Sequence, residues 1–201
     1  MSAKCLTCQL YCAGMRILCY QYCCRCLHKK RIVKQKVNVI ALGFTGAGKS
    51  HLLALLCSES TSNITPTDGF SLKDIPLEHT IMQVKELGGS EKIRPYWNHY
   101  MDDTNGVIFI ISIKDISDRK LNDNKLLLES VMNNNMLMKK PLLVLLTQGS
   151  EASQGILDDI IIKLDLIELC KDSSFIIDFA HELEHTKLIL QKFLDTICSH
   201  H

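Results

Sequence analysis

No aspartate or glutamate occurs before Glu59, although the 201-residue chain carries 22 of them. Residues 1–36 hold eight lysines and arginines. The remainder, with fifteen basic and twenty-two acidic side chains, is net negative. The formal charge of +1 therefore hides a basic arm on an acidic body, and such an arm suits an anionic partner. Proline is scarce at four residues and tryptophan scarcer at one, while 46% of residues are hydrophobic. That composition excludes a low-complexity linker and matches a globular domain with one appendage. A secretory signal is lacking, since Lys4, Arg16 and Arg25 interrupt the first apolar segment and no small-residue cleavage site follows. Arg16 at its centre also makes that segment a poor membrane span. Position 2 is Ser, not Gly, which excludes N-myristoylation there.

What is present is dominated by Gly43-Phe44-Thr45-Gly46-Ala47-Gly48-Lys49-Ser50. The run fits G-x-x-x-x-G-K-[ST], a phosphate-binding loop. It follows the strand-like Val37–Leu42 and precedes a helix-like run with leucines at 52, 53, 55 and 56. Glycines let backbone N–H groups turn around a phosphate, and the helix N-terminus adds partial positive charge. Gly43, Thr45, Gly46, Ala47, Gly48, Lys49, Ser50 and His51 are the expected nucleotide contacts. Lys49 would reach the β- and γ-phosphates and Ser50 would hold Mg²⁺.

Beyond the loop the pattern alternates. Strands are expected at 70–75, 80–87, 107–111, 142–146 and 175–179, and helices at 49–57, 121–138, 156–170 and 185–197. Residues 58–68 read as loop, and 88–98 as loop or short helix. Uninterrupted apolar strands between helices predict an α/β fold, with a mixed, mostly parallel six-stranded sheet covered by helices on both faces. The domain is expected to span 37–201, behind an arm at 1–36.

Four runs resemble the ADP-ribosylation-factor-like small GTPases: the phosphate loop, Pro66-Thr67-Asp68-Gly69-Phe70, Glu86-Leu87-Gly88-Gly89 and Ile93-Arg94-Pro95-Tyr96-Trp97. The resemblance covers about residues 37–145 well and the last third weakly. It implies a P-loop small-GTPase fold, GTP or GDP as ligand, and Mg²⁺ held by Ser50 and Thr67. It also implies a γ-phosphate contact from the Gly89 N–H, and base contacts from Thr147, Gln148 and Ala180. Residues 60–100 would bind an effector protein, with Tyr96 and Trp97 as packing or partner-facing aromatics. The implied protein is a cytoplasmic, membrane-associated monomer acting in trafficking or signalling, with no nucleic-acid partner.

Departures from the pattern qualify this. The family's water-orienting Gln is Ser90, too short for that task, so little intrinsic hydrolysis is expected. Glu86 stands where the family has Asp, and its longer carboxylate is expected to reach the metal through water with relaxed geometry. Thr45 replaces a common glycine. Thr147-Gln148-Gly149-Ser150 replaces Asn-Lys-x-Asp, which weakens guanine preference. Glu151 is a possible substitute. A pseudo-GTPase scaffold that binds its partner through the same surface is the alternative. An ATPase or nucleotide kinase fits less well, for want of a second basic cluster and a lid.

Seven of the ten cysteines lie at positions 5, 8, 12, 19, 23, 24 and 26. With a phosphate loop implying a reducing compartment, disulfides are not expected. Three readings stay open for the arm. It is a membrane anchor, S-acylated beside the basic run 29–36 and attached to an anionic endomembrane or plasma membrane. Or it is a zinc site built on Cys5-x-x-Cys8 and Cys23-x-x-Cys26. Or it has no special role. Two further motifs carry less. His181-Glu182-Leu183-Glu184-His185 satisfies the letters of a zinc-hydrolase motif, but it opens the last helix with no third ligand nearby. Asn63-Ile64-Thr65 matches a glycosylation acceptor.

Overall fold

Alternation along the strands builds a sheet with two buried faces. In the computed structural model, which describes residues 35–199 except 63, 79, 115–116 and 150–153, six strands run in the order β2-β3-β1-β4-β5-β6. They are β1 (Gln35–Leu42), β2 (Phe70–Pro76), β3 (Thr80–Leu87), β4 (Gly106–Ser112), β5 (Leu142–Thr147) and β6 (Phe175–Phe179). Only β2 pairs antiparallel, with β3; every other pairing is parallel. The expected mixed, mostly parallel sheet is what forms. Expectations for the arm, for Asn63 and for Ser150 and Glu151 lie outside the described residues.

The helices are α1 (Lys49–Leu56), α2 (Asp118–Met132), α3 (Gln154–Leu164), the single turn α4 (Leu166–Leu169) and α5 (Leu183–Ser199), with a 3₁₀ helix at Arg94–Tyr100. Side chains alternate across each strand. Ile108 and Ile110 of β4 pack with Leu53 of α1 and Phe193 of α5 on one face. Val107, Phe109 and Ile111 pack with Leu128 of α2 and Leu164 of α3 on the other. Each such side chain, fully buried, contributes roughly 1.5–3 kcal/mol.

Two helices differ from the periodicity. The one expected to reach 138 ends at Met132, because the Asn134 side chain accepts from the Met136 N–H (2.9 Å) and closes a competing turn. It starts three residues earlier than expected, at Asp118, where Ser117 caps it by accepting from the Lys120 N–H (3.3 Å). The second, expected to run unbroken over 156–170, divides at Asp165, whose φ is +55°. Leu164 and Leu166 are both fully buried. A continuous helix would set them about 200° apart, on opposite sides.

Candidate functional site

The phosphate loop leaves β1 at the carboxyl end of the sheet. The Ala47 N–H donates to the Phe44 carbonyl (3.2 Å) across the turn, and Gly48, at φ +82°, adopts the left-handed conformation that starts α1. A side chain there would be strained. Lys49 is buried, and its ammonium donates to the carbonyls of Gly43 and Phe44, both at 2.9 Å. Burial lowers its pKa to about 8, and the Glu86 carboxylate works against that shift. The ammonium thus sits inside the loop, bonded to two of its carbonyls and opposed by the charge of the Glu86 carboxylate.

Three oxygens converge beside it. The Ser50 hydroxyl at the start of α1 donates to Glu86 Oε1, near the end of β3. Ser50 Oγ lies 3.1 Å from Thr67 Oγ1, and Thr67 Oγ1 donates to the same carboxylate oxygen at 3.3 Å. Glu86 is only 1% exposed. This set of hard oxygen donors, two hydroxyls and a carboxylate, fits a small divalent cation such as Mg²⁺. Glu86 thus touches both hydroxyls through one carboxylate oxygen.

The segment after β3 closes the pocket. The Gly88 N–H donates to the Gly69 carbonyl (2.9 Å), and the buried Trp97 indole donates to the Gly88 carbonyl (2.9 Å). Gly89 lies against the phosphate loop so closely that any Cβ would overlap the backbone of Gly43, Phe44 and Thr45. Glycine is therefore required by contact, and not by a left-handed backbone conformation. The Ser90 carbonyl accepts from the N–H groups of Ile93 and Arg94 (3.0 Å each) and starts the 3₁₀ helix. The Arg94 guanidinium then stacks over the Phe44 ring at 4.9 Å.

A cavity of about 350 Å³ results. Of the expected site residues, Thr45, Gly46, Gly48, Lys49, Ser50, His51, Thr67, Gly89 and Gln148 line it. Gly43 is buried where the loop leaves β1, and Ala47 faces a second cavity of about 350 Å³ on the α2 side, with Ser112, Lys120, Asp123 and Asn124. Thr147 is buried and lines neither cavity; its hydroxyl donates to the Ala47 carbonyl (2.7 Å), with the Ile111 carbonyl at 3.3 Å. Gln148, at φ +61°, accepts from the Ser112 hydroxyl (2.7 Å). Ala180 follows β6, donates its N–H to the Leu146 carbonyl (2.8 Å) and also lines neither cavity. Glu86 also lines the cavity and is absent from the expected site residues, although the sequence marked it as a departure whose carboxylate would reach a metal through water. Ile64, Thr65, Pro66, Asp68, Gly88 and Ser90 complete the wall.

The zinc-hydrolase letters do not make a site. α5 begins at Leu183, so His181 precedes the helix and does not share its face with His185. The two rings lie 5.0 Å apart, and among the described residues no group of three histidines, cysteines or carboxylates could hold a metal.

A strand–phosphate loop–helix on a mostly parallel sheet, closed by two segments that meet at a hydroxyl–carboxylate cluster, defines a small-GTPase fold. The model of the ADP-ribosylation factor family matches residues 23–193. The chain belongs to that family, as an Arf-like small GTPase. It is 40% identical over 105 residues to human ADP-ribosylation factor-like protein 15, covering 52% of this chain and 50% of that protein. The mouse protein of the same name is 36% identical over 132 residues, 65% of this chain and 63% of that one. The matches thus span about half to under two-thirds of these relatives. ADP-ribosylation factor-like protein 3 of Chlamydomonas reinhardtii is 29% identical over 134 residues, 67% of this chain and 75% of that one. Among solved structures, the Arl6 (BBS3) small GTPase of Trypanosoma brucei with the nucleotide analogue GppNp bound superposes with a TM-score of 0.67 at 20% identity. That match covers 82% of this chain and 99% of the other.

Proposed function

We propose that the protein is a membrane-associated regulatory switch that binds GTP and GDP with Mg²⁺ and turns over the triphosphate slowly. The observation that carries this reading is the meeting of Ser50, Thr67 and Glu86 beside the buried Lys49 ammonium. Phosphate-loop helix, first switch segment and β3 each supply one oxygen to a single point. A triphosphate bound with its metal there would hold the Thr67 segment, and its loss would release it. Lys49 and the loop N–H groups would cradle the phosphates; Ser50 and Thr67 would hold Mg²⁺, which neutralises phosphate charge when bound. Ser90 gives no side chain long enough to orient a water, which supports slow turnover.

The output surface is the edge formed by β2 and the 3₁₀ helix. Phe70 and Leu72 sit on one face of edge strand β2 and are about half exposed, as is Tyr96, while the Phe70 ring meets Tyr100 at 4.9 Å. An exposed apolar edge beside a nucleotide-dependent loop suits an effector in trafficking or signalling. The arm, with its cysteines and basic run, would attach the protein to an anionic cytoplasmic membrane surface.

Titration calorimetry of the full chain with GTP, GDP and ATP, with and without Mg²⁺, tests the switch. Micromolar, Mg²⁺-dependent GTP binding is expected. Lys49→Ala should weaken it at least tenfold, since a single charge-assisted hydrogen bond is worth about 1.5–3 kcal/mol. One observation favours a scaffold instead. At the base end the Thr147 hydroxyl is used on the Ala47 carbonyl and Gln148 is used on Ser112. Absence of binding to any nucleotide, with effector binding intact, would establish that second reading.

A further inference from the structure

The crossover helix α2 carries the chain from the carboxyl ends of the strands, where the nucleotide cavity lies, back to their amino ends. The turn that follows, residues 133–141, therefore stands on the amino edge of the sheet. The Val107 N–H at the start of β4 donates to the Pro141 carbonyl (2.9 Å) and ties the turn there. β1 begins on the same edge at Gln35, so the chain that carries Lys29, Lys30, Arg31 and Lys34 enters the domain on that edge.

Hydrogen bonds fix this turn. The Asn134 carbonyl accepts from the N–H groups of Leu137 (3.0 Å) and Met138 (2.8 Å), and its side-chain oxygen accepts from the Met136 N–H. Leu137 is fully buried and pins the turn to the core. Its two neighbours are left in solvent: Met136 is 48% exposed and Met138 51%. Lys139 and Lys140 follow, and neither ammonium has a partner among the described residues. Lys139 holds φ +70°, a left-handed conformation that glycine adopts freely and lysine only with strain. A strained backbone that presents an unpaired charge gains nothing from packing, which points to a ligand outside the domain. The neighbouring connection into β4 carries Asp102 and Asp103, and the one into β6 carries Lys171 beside Asp172. The uncompensated positive charge is therefore local to this turn.

We propose that the turn between α2 and β5 is a membrane-contact loop. Met136 and Met138 enter the headgroup region of an anionic bilayer, and Lys139 and Lys140 lie against its phosphates and carboxylates. Methionine is flexible and polarizable, so it fits an irregular apolar surface, and a lysine stem can lie along lipid while its ammonium stays at the interface. The proposal rests on the membrane attachment read from the arm and adds a second contact, made by the domain itself. A basic arm and an apolar, basic turn on one edge supply the two signals that stable attachment needs. Contact through the amino edge turns the nucleotide cavity, at the carboxyl ends of the strands, away from the lipid.

Brominated lipid quenches a tryptophan that enters it. The full chain is held on vesicles by an amino-terminal His tag and a nickel-chelating lipid, and carries either Met138→Trp or, as a control, Arg119→Trp. Arg119 is exposed at the far end of α2, about 20 Å along the helix from the turn. On brominated phosphatidylcholine and phosphatidylserine, Met138→Trp should be quenched and blue-shifted and Arg119→Trp should not. The buried Trp97 supplies an unchanged background in both. Adding Lys139→Gly should shift the contact about fivefold toward solution, the worth of one basic residue at an anionic surface, while Tm stays equal or rises. A merely structural Lys139 would lower Tm when replaced and leave the quenching as it was. No quenching at 138, equal quenching at 119 and 138, or an unchanged contact with Lys139→Gly overturns the proposal. An untethered chain that fails to sediment with vesicles, while position 138 is quenched on tethering, removes the arm's anchor and supports the turn. The opposite pair of results removes the turn alone. If Met138→Trp does not fold, Met136→Trp takes its place.

Discussion

Replacing Thr147 by valine separates two roles that this position could have. By resemblance it opens the base-reading motif; in the structure its hydroxyl donates to the Ala47 carbonyl at 2.7 Å and tethers the phosphate loop to β5. The side chain is 5% exposed, so no water replaces the lost donor without rearrangement. Valine keeps the shape and removes the O–H. Removing the donor alone leaves the carbonyl acceptor unsatisfied, which costs roughly 1–3 kcal/mol. A destabilisation of about 2 kcal/mol is therefore expected, or a Tm lower by roughly 4–8 °C for a domain of this size. Thr147→Ser retains the donor and should lose well under half of that.

Urea unfolding followed by the fluorescence of Trp97, the sole tryptophan, measures the change without an added label. Since Ala47 belongs to the phosphate loop and not to a base contact, Thr147→Val should weaken GTP, ITP and ATP by one common factor. A loss confined to GTP would place Thr147 at the base and refute the tether. Wild-type stability in Thr147→Val, or a serine variant as unstable as the valine one, would refute the energetic reasoning.

Four other outcomes are expected. Gly89→Ala drives a methyl into the backbone of Gly43–Thr45, so GppNp affinity should fall at least tenfold with little loss of secondary structure by circular dichroism. Ser90→Gln supplies the side chain that the family pattern carries there, and single-turnover phosphate release should rise by about 10²–10³, the usual worth of one transition-state contact. Phe109→Ala, at a fully buried position on β4, should cost about 3–5 kcal/mol in urea unfolding. Among the three described cysteines, alkylation mapped by mass spectrometry at pH 8 should run Cys198 first, Cys57 next and Cys170 last. Cys198 is exposed, while burial pushes up the thiol pKa of both Cys57 and Cys170 and leaves less thiolate at that pH.

The strands and the loop were legible because their signals are local. Apolar runs such as 107–111 and 142–146 belong to strands buried on both faces, and the glycine spacing of 43–50 is itself the geometry of a phosphate cradle. Helix ends were less legible, since Asn134 and Asp165 act through turn contacts that apolar periodicity does not register. At the site, Thr67 and Ser50 carried recognisable neighbours, but the meaning of Glu86 depends on where its Cα stands. That follows from pairing with β1 and β2 across the sheet, which no short motif encodes. Ala180 shows the reverse: a matching letter whose backbone continues the β5–β6 pairing without reaching the cavity.

Lys49 and Thr147 both bond to backbone carbonyls of the loop, so each has a structural reason to exist even in a protein that holds no nucleotide. Their presence cannot by itself distinguish a switch from a scaffold. The cluster of Ser50, Thr67 and Glu86 is different in kind. A carboxyl group buried at 1% exposure and facing two hydroxyls is costly to maintain for packing alone, since burying an ionised or unpaired polar group costs several kcal/mol. Apolar residues of similar volume would fill that space with no such cost. A bound divalent cation would reverse the balance, because it would turn converging oxygens from a desolvation cost into coordination. The metal end of the site, and not the phosphate loop, therefore carries the argument for a nucleotide-dependent protein. Replacing Glu86 by Gln or Leu tests it: in a scaffold either change should leave effector binding intact, although stability falls as the buried Lys49 ammonium loses its opposing carboxylate. In a switch both should weaken Mg²⁺-dependent GTP binding, whatever they do to the Tm of the nucleotide-free chain.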